Sequence, residues 1–387
     1  MRKALIALAA AGLLTSVTLT ACDGGSNDGD ASGSDAGLHS NATSSGEGRG
    51  GVGIVLPDTQ SSTRWSNDDP KYLKAAFKSA NVPYEIQNAE GNADAFKGIA
   101  KAMLDSGIKV LMIANLDSVS AKWVIDLAHS KKIPVIDYDR LTLNGGADYY
   151  VSFDNEKVGQ FQATGLIQCL KDKGVSKPVI AELNGSPTDN NATLFKAGYD
   201  AVLQEKYDGG DFVKGPDQFV PQWDNNEGKA IFTQMLKQWP TINGVLAAND
   251  GLGNAAIEVL KKNGKTGIPV TGQDATVQGL QNILAGDQCM TVYKATKQEA
   301  QKAADLAIAL VKSGKATARD KVKDPETGAY VPSELLTPTL VTAQNMVETV
   351  IKDQFVTSKE LCTAKFLQAC QQYGLAAKPG ASSGTGS

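Results

Sequence analysis

Short apolar runs alternate with longer amphipathic stretches along most of the chain. Between residues 52 and 140, runs rich in Val, Ile and Leu predict strands, and apolar residues at helical spacing predict the helices between them. This regular alternation is typical of a parallel sheet covered by helices. The predicted strands are residues 52–56, 84–87, 110–114 and 134–140 (with the following loop), and the predicted helices are 72–81, 94–106 and 120–130.

The same alternation begins again after a short strand at residues 149–153. Two consecutive rounds predict an α/β protein with two similar Rossmann-like lobes, and a cleft between lobes is the usual ligand site. The predicted helix 299–313 follows the second round, and its pattern fits either lobe. The second round comprises predicted helices 154–173, 190–207, 229–239, 255–263 and 280–285 and strands 179–183, 212–213, 245–248, 270–274 and 290–294.

The two ends of the chain have a different composition. A basic start, an apolar run and small residues predict a signal peptide at residues 1–21. The sequence Leu19-Thr20-Ala21-Cys22 resembles a lipobox, which predicts a diacylglycerol on Cys22; the alternative is an ordinary secreted protein. Residues 23–50 and 376–387 are small and polar, so we expect a flexible tether and a disordered tail.

Four cysteines remain after Cys22, and outside the cytoplasm they favour two disulfides with three conceivable pairings. Cys169 near a helix end and Cys289 near a strand start fall on the same edge of an α/β layer and could meet. Cys362 and Cys370 would be about 12 Å apart on an unbroken helix, so their pairing requires a helix break. Buried unpaired thiols are the alternative.

Charge and motifs exclude several classes of function. The net charge is -4, and no run of Lys or Arg could follow a nucleic-acid backbone, so we expect no nucleic-acid partner. The chain contains no Gly-x-Ser-x-Gly, Walker or His-Glu-x-x-His motif, and its two histidines make a catalytic triad or metal site improbable. A carboxylate pair, Asp139 with Asp189 or Asp274, keeps a glycoside hydrolase as the enzymatic alternative.

Polar side chains follow one predicted strand after another. The clearest case is the turn from strand 179–183 into the next helix, which presents Asp189, Asn190 and Asn191. One interpretation is that one of these residues only caps the helix, since Asp and Asn are favoured N-caps; the other is that together they hold a ligand. Mixed carboxylates, amides and cations suit a ligand whose hydroxyls both donate and accept hydrogen bonds, and tryptophans offer flat apolar faces. The candidates are Arg64, Trp65, Asp139, Arg140, Asp189, Asn191, Trp223, Asn249, Asp250 and Asp274.

Several motifs in order resemble the xylose-binding proteins of bacterial ABC importers, which are type I periplasmic sugar-binding proteins. The resemblance covers roughly residues 51–356 and excludes the tail with Cys362 and Cys370. The loop 60–63 is closer to relatives that accept several aldoses. The motifs are Phe153-Asp154-Asn155-Glu156-Lys157-Val158-Gly159, Gly185-Ser186-Pro187 with Asp189-Asn190-Asn191-Ala192, Gly272-Gln273-Asp274-Ala275, Met290-Thr291-Val292-Tyr293-Lys294 and Leu335-Leu336-Thr337-Pro338.

The resemblance implies two lobes joined by three hinge crossings, near Phe153, Tyr293 and Thr339. The first lobe would be residues 51–153 with 295–338 and the second 154–294 with 339–375. By assigning Asp189 and Asn191 to the sugar, the resemblance leaves Asn190 as the expected helix cap. The implied sugar contacts are Arg64, Trp65, Asp139, Arg140, Asp189, Asn191, Trp223, Asn249, Asp274 and Lys294.

The resemblance also implies the function: a lipid-anchored monomer at the outer face of the cell membrane that closes around a monosaccharide, D-xylose or a related aldose. Its partners would be an ABC permease and its ATPase, with no cofactor or metal. A sugar sensor for a membrane signalling receptor is the non-enzymatic alternative, because it would bind sugar in the same way.

Overall fold

The computed structural model describes residues 43–44 and 50–377 and contains an eight-stranded sheet in the order β1-β3-β2-β4-β5-β6-β12-β11. The strands from β3 to β12 are parallel to their neighbours, whereas β1 and β11 pair antiparallel at the two edges. The strands are β1 (Thr43–Ser44), β2 (Val52–Leu56), β3 (Tyr84–Asn88), β4 (Val110–Ile113), β5 (Val135–Tyr138), β6 (Tyr149–Phe153), β11 (Asp320–Lys323) and β12 (Tyr330–Leu336).

Helices cover both faces of this first sheet. Helices α1 (Asp68–Ser79) and α9 (Thr296–Ser313) share one hydrophobic core with the sheet, and α2 (Ala93–Ser106) and α3 (Ser118–Ser130) share the core on its other face. Helix α9, which the sequence pattern left unassigned, therefore packs on the first sheet. Its alanine-rich stripe allows close packing against α1.

The second sheet has three parallel strands in the order β8-β7-β9, extended by a single bridge between Val245 and Val270. Its strands are β7 (Val179–Asn184), β8 (Val213–Phe219) and β9 (Gly244–Ala247), and its helices are α4 (Asn155–Asp172), α5 (Asn190–Asp208), α6 (Asn225–Gln238), α7 (Asp250–Lys262) and α8 (Val277–Ala285).

The chain passes between the two sheets three times. It leaves the first sheet after Phe153, returns from β10 (Thr291–Tyr293) into α9, and leaves again between β12 and β13 (Thr339–Val341), which pairs antiparallel with β10. The α/β fold with mostly parallel sheets and three crossings is thus confirmed. The residue boundaries of the two lobes stay a prediction.

Most predicted helices begin too late in the sequence. The helix predicted from residue 229 begins at Asn225, and the one predicted from residue 255 begins at Asp250. Their first turns are polar because free N–H groups at a helix start favour Asp and Asn, so apolar spacing does not detect them. Asp224, for example, accepts hydrogen bonds from the backbone N–H groups of Asn226 and Glu227.

Two glycines bring α4 and α5 into backbone contact. A Cβ on Gly159 would lie 2.0 Å from the carbonyl oxygen of Phe195, and one on Gly198 would lie 2.1 Å from that of Glu156. Only glycine permits this approach. This close contact fixes the position of α5, whose N-terminal end carries the predicted ligand residues Asp189 and Asn191.

Two disulfides are present, Cys169 with Cys289 and Cys362 with Cys370. The second closes a break between α10 (Ser358–Leu361) and α11 (Leu367–Gln372). This C-terminal segment follows a short π-helical turn, Val347–Ile351, and packs against α8 in one hydrophobic cluster.

Some predictions concern the ends of the chain. The predicted signal peptide, Cys22, most of the tether and residues 378–387 lie outside the described residues. Within the predicted tether, β1 pairs with β3, whose outer edge offers free backbone groups to a passing polar segment. No helix among the described residues is long and apolar enough to cross a membrane.

Candidate ligand-binding site

One pocket lies between the two sheets, at the carboxyl ends of their strands, where open α/β sheets place ligands. All ten residues implied by the resemblance border it, although their contact with a sugar stays a prediction. The pocket is lined by Ser61, Ser62, Arg64, Trp65, Asp139, Arg140, Asp189, Asn191, Phe195, Trp223, Asn249, Gln273, Asp274 and Lys294.

Asp139 is the electrostatic centre of the pocket. Its Oδ2 accepts from Arg64 Nη1 at 2.8 Å and from Lys294 Nζ at 3.1 Å, while Asn191 Nδ2 donates to Oδ1 at 3.0 Å. Burial alone would raise the pKa of Asp139, but Lys294 and Arg64 outweigh burial and hold that pKa well below its usual range. The carboxylate is therefore ionised and joins both halves of the protein.

Two further acidic side chains fix the position of Arg64. Asp69 accepts from Arg64 Nε at 2.8 Å and Nη2 at 2.7 Å, and Glu299 Oε2 accepts from Nη2 at 2.5 Å. Tyr138 donates its hydroxyl to Asp69. Burial would lower the pKa of Arg64, but the neighbouring carboxylates raise it, so the guanidinium stays charged with its orientation fixed.

The turn before α5 forms a second charged group. Asp189 Oδ2 lies 3.1 Å from Arg140 Nε and accepts from Trp223 Nε1 at 3.1 Å. Asp189 Oδ1 accepts from the backbone N–H of Asn191 at 2.9 Å. Asp189, and not Asn190, is therefore the N-cap of α5, and the expectation that Asn190 caps the helix is wrong. Asp189 caps the helix with Oδ1 and contacts Arg140 and Trp223 with Oδ2.

Asp274 and Asn249 face the loop before Arg64. Ser62 Oγ donates to Asp274 Oδ2 at 2.9 Å, and Asn249 Nδ2 donates to the carbonyl of Ser61 at 3.2 Å. Burial raises the pKa of Asp274, partly offset by Lys294 and Arg64. Asp250, also a candidate from the strand ends, does not border this pocket: it is buried behind it and accepts from Thr276, Gln288 and Thr291.

The backbone is strained where it carries pocket side chains. Asp139, Trp223 and Asp274 have φ angles of 64°, 58° and 98°, a region that non-glycine residues rarely adopt. Such conformations cluster at ligand sites because the surrounding structure must hold them. Here they turn the side chains from the strand ends into the pocket.

Aromatic rings form the apolar walls of the pocket. Trp223 contacts Phe195 edge to face, with ring centroids 6.4 Å apart, and Arg64 Cζ lies 4.3 Å from the centroid of the Trp65 ring. A Cβ on Gly185 would lie 2.0 Å from Trp223, so the ring rests directly on the glycine backbone. Glycine at this position determines where Trp223 lies.

We predict that Gly185→Ala weakens ligand binding by about tenfold, because the new methyl group must displace Trp223 and part of its stacking contact, worth ~1 kcal/mol or more. Calorimetric titration with a ligand that the wild type binds measures the loss of affinity. Gly98→Ala is the matched control, since no atom lies within 4 Å of a Cβ there. Equal affinity of the Gly185 variant and the wild type would contradict the role given to this contact.

Several pocket residues were not predicted from the sequence. Gln273 directly precedes the predicted Asp274, Ser61 and Ser62 lie in the loop before Arg64, and Phe195 was assigned to the helix core, which it also occupies. Asp69 and Glu299 do not line the pocket but hold Arg64, and neither was predicted; Glu299 reaches Arg64 from 235 positions away. Among the described residues, no group of three or more His, Cys, Asp or Glu could hold a metal ion.

Glu299 should make stability depend on pH. Burial, opposed by Arg64, raises the pKa of Glu299 to about 8, so between its ordinary pKa of 4.5 and this value the folded protein holds a proton that the unfolded chain releases. The free energy of unfolding should therefore fall as pH rises through that range. Relative to Glu299→Gln, which mimics the protonated acid, the wild type should lose up to ~1.4 kcal/mol between pH 6 and 7. Urea unfolding at both pH values measures this difference; parallel pH profiles would contradict the assignment.

Comparison with known proteins shows which protein family the chain belongs to. The family described as "Periplasmic binding protein domain" matches residues 52–316, and the chain belongs to this family. It is 34% identical over 316 residues to the D-xylose-binding periplasmic protein of Escherichia coli strain K12, covering 80% of this chain and 92% of that protein. It is also 34% identical to the multiple sugar-binding periplasmic receptor ChvE of Rhizobium radiobacter, over 81% of this chain and 92% of the receptor.

A solved structure agrees with these relatives. An ABC transporter solute-binding protein from Clostridium phytofermentans with bound β-D-glucose has a TM-score of 0.73 and 27% identity, covering 80% of this chain and 99% of that one. The resemblance to xylose-binding proteins and the fold of type I periplasmic binding proteins are confirmed. The chain is a binding protein and not an enzyme, so the glycoside hydrolase hypothesis is wrong.

Proposed function

We propose that the protein is the extracytoplasmic receptor of an ABC sugar importer and that it binds one neutral aldose, D-xylose or a close relative such as D-glucose, between its lobes. The observation that carries the proposal is the pocket in which side chains from both sheets converge. The names of its relatives support a sugar ligand, since they bind D-xylose, multiple sugars or β-D-glucose.

The charge of the pocket favours a neutral, hydroxyl-rich ligand. Carboxylates and cations are equal in number, and a sugar hydroxyl can donate to the former and accept from the latter. An additional charge on the ligand would have no buried partner, which costs several kcal/mol. The balanced groups are Asp139, Asp189 and Asp274 with Arg64, Arg140 and Lys294.

Ligand contacts from both lobes would drive closure. Direct hydrogen bonds already cross between the two halves, among them Ser62 to Asp274, Asn249 to Ser61, and Asn191 to Asp139. A sugar that touches residues on both sides stabilises the closed arrangement over the open one. The permease would then recognise the closed form and receive the sugar.

The sequence Leu19-Thr20-Ala21-Cys22 supports a lipoprotein held at the outer face of the cell membrane. Its expected partners are the permease and its ATPase, and the protein would act as a monomer. In cell fractionation, Cys22→Ala should move the protein from the membrane to the soluble fraction or block its processing. Unchanged membrane retention and size would contradict lipidation.

A thermal-shift panel tests the ligand class. D-Xylose, D-glucose, D-galactose and L-arabinose are compared with D-glucuronate and D-glucosamine, which differ from D-glucose in carrying a charge. Binding to the native state raises the melting temperature, so at least one neutral aldose should raise it and the charged analogues should not. A response to a charged analogue alone would overturn the proposal, as would no response to any sugar.

A further inference from the structure

A second cavity adjoins the sugar pocket. It lies between loops that follow β2, β3 and β4 on one side and β7 and β8 on the other. Both cavities are lined by Ser61, Arg140, Asp189 and Trp223. The second cavity, which we call the outer chamber, therefore shares four side chains with the pocket and is also built from both halves of the protein.

Carboxylates fixed by their own loops surround the outer chamber. Asp58 Oδ1 accepts from the backbone N–H groups of Gln60 and Ser61 at 2.9 and 2.7 Å, and Asp117 accepts from the backbone N–H of Ser120 at 2.8 Å. A carboxylate has about four acceptor positions, so these groups can still accept from a ligand. Besides Asp189 at the junction, the carboxylates of the chamber are Asp58, Glu90, Asp117 and Asp224.

The junction between the cavities contains a donor that has an ionic partner but no aligned hydrogen bond. Arg140 Nε is buried and makes no aligned hydrogen bond within residues 50–377, although it lies 3.1 Å from Asp189 Oδ2. Arg140 Nη1 donates to the carbonyl of Asn115 at 3.0 Å, which holds the guanidinium at the junction. The Asp189 carboxylate balances the charge of Arg140, and a ligand oxygen at the junction would give the Nε–H an aligned acceptor.

We propose that the outer chamber is a subsite for a second neutral sugar ring, so that the protein also binds disaccharides. This inference rests on the proposed function, because the first ring must occupy the sugar pocket. The linkage would pass between Arg140 and Trp223, with an oxygen near Arg140 Nε. The second ring donates its hydroxyls to the chamber carboxylates.

The same carboxylates define what the chamber rejects. No Lys or Arg other than Arg140 lines it within the described part of the chain, so a phosphate or uronate on the second ring would meet like charges. Thr188 Oγ1 donates to the carbonyl of Leu116 at 3.2 Å across the rim, which joins the two lobes beside the chamber. The chamber is thus complete only when the lobes are closed.

Titration of the purified mature protein with matched sugars tests the inference. The probes are xylose with xylobiose, and glucose with cellobiose and maltose. We expect at least one disaccharide to bind within about tenfold of its monosaccharide. If a monosaccharide binds and every disaccharide is more than about 100-fold weaker, the chamber is not a sugar subsite. If no mono- or disaccharide binds, the proposed function fails and this inference fails with it.

A variant that fills the chamber locates the second ring. Ala93 lines the chamber at the start of α2 but not the sugar pocket. Ala93→Phe should lower disaccharide affinity at least about tenfold and leave monosaccharide affinity unchanged within about twofold. Ala102→Phe, at an exposed position of the same helix, should change neither. Equal disaccharide affinity of the Ala93 variant and the wild type would overturn the placement.

Discussion

Replacing Asp274 by alanine is expected to reduce sugar affinity at least about 100-fold while the protein still folds, because each hydrogen bond to a charged group contributes ~1.5–3 kcal/mol and a carboxylate can accept several. Asp274 is half-buried at the wall of the pocket, and only Ser62 and Gln273 hydrogen-bond to its side chain within residues 50–377. Its remaining acceptor positions are available to a ligand. Calorimetric titration measures the affinity, and circular dichroism with thermal unfolding checks the fold.

Two control variants separate the lost contact from other effects. Asp305→Ala removes an exposed carboxylate from α9 and should leave sugar affinity unchanged. Asp274→Asn keeps the size and shape of the side chain at a backbone φ of 98° but removes its charge, so it should bind more weakly than the wild type without added strain. Wild-type affinity in Asp274→Ala would remove this residue from the binding site.

The buried pair of Asp139 and Lys294 should dominate the stability of the site. Both side chains are nearly inaccessible, at 4% and 5% exposure. Asp139→Asn leaves the Lys294 ammonium buried without its carboxylate, and removing one partner of a buried pair costs ~3–5 kcal/mol. Urea unfolding of the ligand-free protein should show a loss of this size.

A double-mutant cycle tests whether this loss of stability comes from the ion pair between Asp139 and Lys294. Lys294→Met removes the cation and leaves Asp139 with Arg64, so its cost should be smaller than that of Asp139→Asn. The double variant should lose less stability than the two single variants added together, by about 0.5–3 kcal/mol. Strictly additive losses would mean that the two residues do not stabilise each other.

The sequence predicted the pocket well because one rule governs it. Parallel strands separated by helices place their carboxyl ends at one edge, so polar residues that follow successive strands must come together. Asp189 after β7 and Asn249 after β9 are brought together in this way at the second sheet, and Asp139 after β5 lies at the corresponding edge of the first sheet, on the other side of the pocket. Ser62 and Gln273, which also line the pocket, were not predicted because polar residues of these types are common in any loop.

Long-range pairing could not be predicted. In the sequence, Glu299 has the position of an ordinary acidic residue in the first turn of α9. In the structure it binds Arg64, because α9 packs beside α1 on the first sheet. Strand β8 was predicted as two residues but spans seven, because its exposed polar positions carry no alternation. The antiparallel pair of β11 and β12 was missed for the same reason. In each case backbone pairing or a distant charge decides the structure, and neither leaves a periodic signal.

Calorimetric titration of the purified mature protein with D-xylose, D-glucose, D-galactose, L-arabinose and D-ribose tests the central claim most directly. We predict that at least one of these sugars binds one site per chain with a Kd below about 1 mM, and that Asp274→Ala abolishes the heat of binding. No binding of any of the five sugars to correctly folded protein would contradict the account.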